Sequence, residues 1–204
     1  IGPCQGYVYL TQFLLMKLFS SIKRSVCRIL RKPRTYGFGV QSPFAYNFVR
    51  NVADGKDAFL LDDFISKDGL ALEQYPLRLY SLLARLSAYI CSERCYVACD
   101  LLSETIEVVL QAGYHQVKCE HELGDDNRFC LVSAQFTDWD SLLNHMADDG
   151  MLVVVGLRSN RQCYEGWKAL LADDRTCVSF DLYDAGVVFF DHKMFKRSYR
   201  CNYR

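Results

Sequence analysis

Cys119 and His121 stand two residues apart in VKCEHE (117–122). On a strand that spacing turns both side chains to one face. A thiol and an imidazole there can ligate a metal or pair as nucleophile and base. A buried thiol beside an unrelated histidine is the plainer reading. Cys91, Cys95 and Cys99 recur every four residues, but no Cys-x-x-Cys pair occurs. His115, His121, His145 and His192 fall at no finger spacing from a cysteine pair, so no metal site is expected. Asp100 and Glu120 each close a short apolar stretch. Acids at strand ends, with His121 beside them, can line a crevice that holds a ligand. They can equally cap a helix or face solvent.

The background composition narrows these options. The chain has 204 residues, half of them apolar, with 10 cysteines and only 4 prolines. That length and apolar supply suit one sizeable core, so disulfide staples are not needed. The thiols read as reduced, mostly buried small apolar residues of a cytoplasmic protein. The formal net charge is zero, from 24 basic and 24 acidic residues, but the distribution is uneven. Residues 1–53 hold eight basic side chains and no acid, and residues 192–204 hold five and none. All the acids lie between. Basic ends of this kind can contact nucleic acid or an anionic membrane, or pack against their own acidic body.

The elements that must position these residues follow from periodicity. The chain opens on Ile1, while Met16 heads MKLFSSIKRSVCRILRK, which reads as a natural start. Residues 1–15 then read as an upstream extension. The apolar run at 7–19 is too short and interrupted to span a bilayer, and its charges follow it rather than precede it. Apolar positions 15, 18, 19, 22, 26, 29 and 30 predict a basic amphipathic helix that Pro33 ends. It can lie on a membrane surface, but docking on its own domain is favoured. Gly37 and Gly39 make a turn, and Ser42 with Pro43 starts a helix bearing Phe44, Phe48 and Val52 on one face. Residues 56–74 link to the next element.

From Pro76 strands and helices alternate. Helices are expected at 76–90, at 103–112 after the Ser103 cap with Gly113 closing it, at 137–147 with Thr137 and Asp140 as a capping box, and at 160–172. Strands are expected at 96–102, 116–120, 128–134 and 151–157. The last of these, MLVVVGL, is apolar throughout, as in a strand covered on both faces. Stretches 176–183 and 186–191 form a hairpin about Asp184-Ala185-Gly186, with a last strand within 195–203. The pattern implies an α/β fold with a doubly wound, mostly parallel Rossmann-like sheet. An N-terminal basic helical extension (1–74) precedes the α/β domain (75–204).

GVQSPFAYNFV (39–49) resembles a Gly-[Ile/Val]-His-Ser-Pro-Phe signature in a bacterial family of class I S-adenosylmethionine-dependent methyltransferase-like proteins. The C-terminal stretch GWKALLADDRTCVSFDLYDAGVVFFDHKMFKRSYRCNY (166–203) resembles the end of the same family. Pro76 to Tyr89 looks like its helix before the cofactor strand. The resemblance implies a class I methyltransferase-like sheet with a C-terminal antiparallel hairpin. It implies that Asp100 meets the amine of S-adenosylmethionine and that Glu120 holds the ribose hydroxyls.

The departures from that family fall on its chemistry. The family has a glycine turn after its first strand, where a Cβ would clash with the cofactor. Here YVACDLLSETIE has no glycine between Tyr96 and Ala112, and Gln41 replaces the signature histidine. Glu120 runs through HELGDDNR straight into the next strand, on the order of 30–40 residues shorter than the family's pattern. LVSAQF (131–136) and VVVGLRSN (153–160) lack the family's acidic groups. The expectation is a degenerate relative that binds no cofactor and acts as a binding or structural protein, paired with itself or with an active relative. The alternatives are an active methyltransferase using S-adenosylmethionine, and an RNA- or membrane-associated protein acting through basic termini. No catalytic residue is assigned.

Overall fold

The structure is a computed structural model describing residues 22–35, 40, 42–55, 75–101 and 103–204. The expectations for residues 1–15, Met16, the Gly37–Gly39 turn, Gln41, the 56–74 segment and Leu102 lie outside the described residues. A helix α1 covers 22–35. A second, α2 (Pro43–Asn47), widens into a π-helical turn at Phe48–Ala53. Then come α3 (Leu77–Ile90), β1 (Arg94–Val97), α4 (Glu104–Gly113), β2 (Lys118–Glu120) and β3 (Asn127–Ser133). These are followed by α5 (Trp139–Asn144), β4 (Met146–Val155), α6 (Arg161–Ala172), β5 (Val178–Asp181), β6 (Ala185–Phe189) and β7 (Arg197–Arg200).

The strands form one mixed seven-stranded sheet in the order β2-β1-β3-β4-β6-β5-β7. Strands β2, β1, β3 and β4 pair in parallel. Strand β6 inserts antiparallel between β4 and β5, and β7 pairs parallel with β5. Side chains alternate between faces along each strand, so the sheet separates two cores. Leu131, Val153 and Val187 pack with α3, α4 and the π-helical turn. Cys130, Val132, Leu152, Val154 and Val188 pack with Leu142 of α5 and Trp167 and Leu170 of α6. The unbroken apolar run of β4 is the consequence of covering both faces.

The SPF segment belongs to the first core. Ser42 Oγ accepts the Ala45 N–H, and Pro43 occupies the first helical turn, as its sequence predicts. Phe44 meets Phe189 edge-on at 5.1 Å, and Phe48 lies 4.3 Å from Phe180. Gly113 ends α4 as expected, but its role is proximity. A Cβ there would stand 1.9 Å from the Ala84 carbonyl oxygen of α3.

Several expected boundaries shift. Helix α1 continues past Pro33 to residue 35. Only the last turn forgoes a bond to the proline, and Thr35, whose hydroxyl accepts the Asn202 N–H at 3.0 Å, anchors the end. Strand β1 stops at Val97 because the chain turns, with the Leu101 N–H donating to the Ala98 carbonyl at 2.8 Å. The apolar residues beyond Val97 had the look of more strand. Asp138, not Thr137, caps α5 by accepting the Ser141 N–H. That helix ends at Asn144, since the His145 carbonyl is drawn to the Asn127 N–H at 2.8 Å and the next residues join β4. The hairpin turn lies at Leu182–Asp184, closed by the Leu182 N–H on the Ala185 carbonyl at 2.9 Å. Asp184-Ala185-Gly186 was the expected place, but Ala185 and Gly186 already pair with β4.

Helix α1 docks on the body through the side opposite to the expected one. Arg24 and Arg31 turn inward, while Ile29 and Leu30 are 70% and 71% exposed, with Ile22 and Val26 beside them. Among the described residues no helix is long and apolar enough to cross a membrane.

Candidate functional site

The acids at the ends of β1 and β2 do not converge on a pocket. Asp100 is exposed in the turn after Val97. Its charge reaches Tyr75 and Tyr96, whose hydroxyls are held above their ordinary value mainly by burial and secondarily by neighbouring charges. Glu120 ends β2 and accepts a fork from Arg94, with Nε at 2.8 and 2.9 Å and Nη2 at 2.6 Å. That hydrogen-bonded fork holds the Glu120 carboxyl below the usual range and raises Arg94. Neither of the two large pockets is lined by Asp100 or Glu120. Leu101, next to Asp100, is 3% exposed and belongs to the first core.

The thiol and imidazole candidates also separate. Strand β2 ends at Glu120, so exposed His121 lies outside it and does not share its pleat with Cys119. Burial pushes the Cys119 thiol up to about 12, which leaves it protonated at neutral pH and a poor nucleophile. Cys91 caps the end of α3, Cys95 is buried in β1 and Cys99 is exposed in the following turn, so their spacing marks three elements. The nine described cysteines are free thiols. Among the described residues no group of three or more His, Cys, Asp and Glu side chains can hold a metal.

Charge converges instead at the β5–β6 turn. Asp181 ends β5, and its Oδ1 accepts the Tyr183 N–H at 2.9 Å, the local bond that favours aspartate at turns. Tyr183 takes a left-handed φ of 79° in this turn. The Asp184 carbonyl accepts N–H groups from Gly156 and Leu157, tying the turn to the end of β4. Gly156 has φ of 80°, a conformation open to glycine, and the reversal brings Arg158 to Asp181. Arg31 Nη1 donates to Asp181 Oδ1 at 3.0 Å and Arg158 Nη2 to Oδ2 at 2.8 Å. Arg24 Nη2 donates to Asp184 Oδ1 at 2.6 Å. Arg78 Nη2 and the Tyr203 hydroxyl reach Oδ2 at 2.9 and 2.8 Å. Burial, and then the Asp184 charge, push the Tyr203 hydroxyl well up, so it stays a donor.

The positions on each helix explain the convergence. Arg24, Arg28 and Arg31 lie at i, i+4 and i+7 of α1, hence on one side. Arg78 and Arg85 lie at i and i+7 of α3. Between these rows runs a groove of about 830 Å³, lined by Arg24, Arg28, Arg78, Arg85 and Arg204, with Pro76 and Leu77. A neighbouring pocket of about 790 Å³ shares Arg24 and Pro76 and adds Tyr75, Leu79, Arg158, Tyr164 and Asp184. The Arg158 guanidinium stacks 3.6 Å over Tyr164. Arginine stays charged throughout the physiological range, so the arrangement provides fixed positive charge and fork-shaped donors, not proton transfer.

Sequence reasoning saw Asp184 only as a turn residue and missed Asp181, Arg78 and Arg158. A signal was present. Aspartates inside SFDLYDAGVVFF sit among apolar residues that must be buried, and a buried carboxylate needs a cation. The basic ends, by contrast, fall partly where self-complementarity puts them, with Arg24 and Arg31 on Asp184 and Asp181. No protein-family model matches this chain, and no curated protein matches it either.

Proposed function

We propose that this chain is a degenerate class I methyltransferase-like protein that has given up S-adenosylmethionine and serves as a binding protein. The observation carrying this reading is Leu101. The turn after β1 is where the resembling family keeps glycine so that the cofactor can touch backbone. Here a side chain from that turn is 3% exposed and packed in the first core. The antiparallel insertion of β6 between β4 and β5 supports the doubly wound, Rossmann-like family scaffold, whose terminal hairpin strand inserts in this way. Glu120, the ribose-binding acid that the resemblance implies, is engaged by Arg94. Neither acid lines either of the large pockets. A fold carries no chemistry without its site.

Calorimetric titration of the full chain with S-adenosylmethionine tests this. No heat of binding is expected at about 1 mM ligand, the weak end of the affinity scale. Micromolar binding would overturn the reading and restore the active methyltransferase. A loss of that binding in Asp100→Asn and Glu120→Gln would then identify the site.

A further inference from the structure

We propose that the groove between α1 and α3 is a binding site for a small organic phosphate. This goes beyond loss of the S-adenosylmethionine site and does not depend on it. Among the described residues, Arg24, Arg31, Arg78 and Arg158 converge on only two carboxylates, Asp181 and Asp184. Both carboxylates have their two oxygens occupied. Arg28 lines the same groove and has no ion-pair partner among the described residues. Positive charge is therefore in excess along the groove between the helices.

Unmade bonds occur on three of these arginines. The Nε atoms of Arg24, Arg78 and Arg158 are buried and have no hydrogen-bond partner. Each of these arginines donates to its aspartate through a terminal nitrogen, so part of each fork is unused. A buried donor without an acceptor is costly. An oxyanion with several acceptor oxygens can engage the spare donor capacity of more than one of these arginines together, and phosphate geometry suits guanidinium forks. The adjoining pocket offers Tyr75, Leu79 and Tyr164 to an organic body. Both volumes, about 830 and 790 Å³, lie in the range of small-molecule sites. An extended polyanion fits less well, because the outer side of α1 presents Ile22, Val26, Ile29 and Leu30.

The test is calorimetric titration of the full chain with inorganic pyrophosphate and with adenosine 5′-diphosphate at low ionic strength. Saturable one-to-one binding of both is expected, weakening as salt rises. Adenosine 5′-diphosphate binds more tightly if the tyrosine-lined pocket holds the organic part. Arg28→Gln lowers affinity about tenfold, the worth of one charge-assisted contact. It leaves the thermal midpoint unchanged, since Arg28 is exposed and holds no carboxylate. Arg128→Gln, which breaks only the exposed pair with Asp149, leaves affinity unchanged. Absence of binding at about 1 mM, or equal loss in the two variants, overturns the proposal. So does binding of an RNA oligonucleotide or anionic phospholipid vesicles where both small phosphates fail. The S-adenosylmethionine titration reads separately, so either proposal can fail alone.

Discussion

Two pairs of acids end strands of the same sheet and meet opposite fates. Asp100 and Glu120 follow β1 and β2 at its outer side, where Asp100 is exposed and Glu120 holds one exposed arginine. Asp181 and Asp184 border the β5–β6 turn, where the side chains are 5% and 10% exposed and each holds two arginines. The residue type and the strand-end setting are alike. What differs is how much protein covers them. Helices α1 and α3 close over the second pair, and burial turns an ordinary turn acid into the anchor of the N-terminal helix. Chemistry at strand ends is therefore a matter of what packs above them, and the cationic groove replaces the expected acidic crevice.

The contrast can be broken most directly at Asp181. Asp181→Ala strands Arg31 and Arg158 with their partner gone, and removal of one member of a buried pair costs about 3–5 kcal/mol. Urea unfolding should show that loss, and hydrogen exchange should show α1 opening ahead of the sheet. A loss below about 1 kcal/mol would class this pair with surface ion pairs and dissolve the contrast.

Leu101→Ala probes the other region. Its burial at the end of β1 predicts a loss of about 2–5 kcal/mol from transfer and cavity terms, read from the same urea midpoints. A near-zero change would mean that the turn is open enough for a ligand. Tyr203→Phe removes one hydroxyl from Asp184 and should cost about 1 kcal/mol. Because that tyrosine remains protonated, the cost should stay constant from pH 6 to pH 9 by an order-of-magnitude reading of tyrosine's ordinary pKa.

The smallest effect is expected at Glu120. Its carboxyl titrates below the ordinary glutamate range in the folded chain. The stabilisation from the Arg94 pair is thus present above the unfolded value, about 4.3, and fades as pH falls through the lower folded value. Glu120→Gln should shift the unfolding midpoint only slightly at neutral pH and low salt, and less still near 1 M salt, where the screening length falls to about 3 Å. The Asp181 penalty should persist at that salt. Equal salt sensitivity would show that the two pairs differ less than their burial suggests.

Much of the fold could be read from short-range pattern. The Ser42-Pro43 start, the Ser103 cap, the helix expected at 76–90 and the doubly covered β4 all recur in the structure. Each depends on residues a few positions apart, whose spacing sets which face they share. The misread pieces were those where a distant group intervened. The His145 carbonyl meets Asn127 and ends α5 early, and Leu101 resembled strand because it fills the core. Asp100 and Glu120 were visible as strand-end acids, but their solvation depended on whether a wall rose beside them.

From the order of residues alone come the alternation of helix and strand, the buried centre of the sheet, and a chain whose basic ends flank an acidic body. Tertiary structure alone decides which acids those basic residues meet. Arg31 and Asp181 are 150 positions apart, and no local rule links them. Their pairing follows from desolvation. Once the hairpin turn is covered, its carboxylates must be neutralised by whatever cations the packed helices bring. Arg24 and Arg31 turn inward for that reason, and the helix's apolar face stays outside.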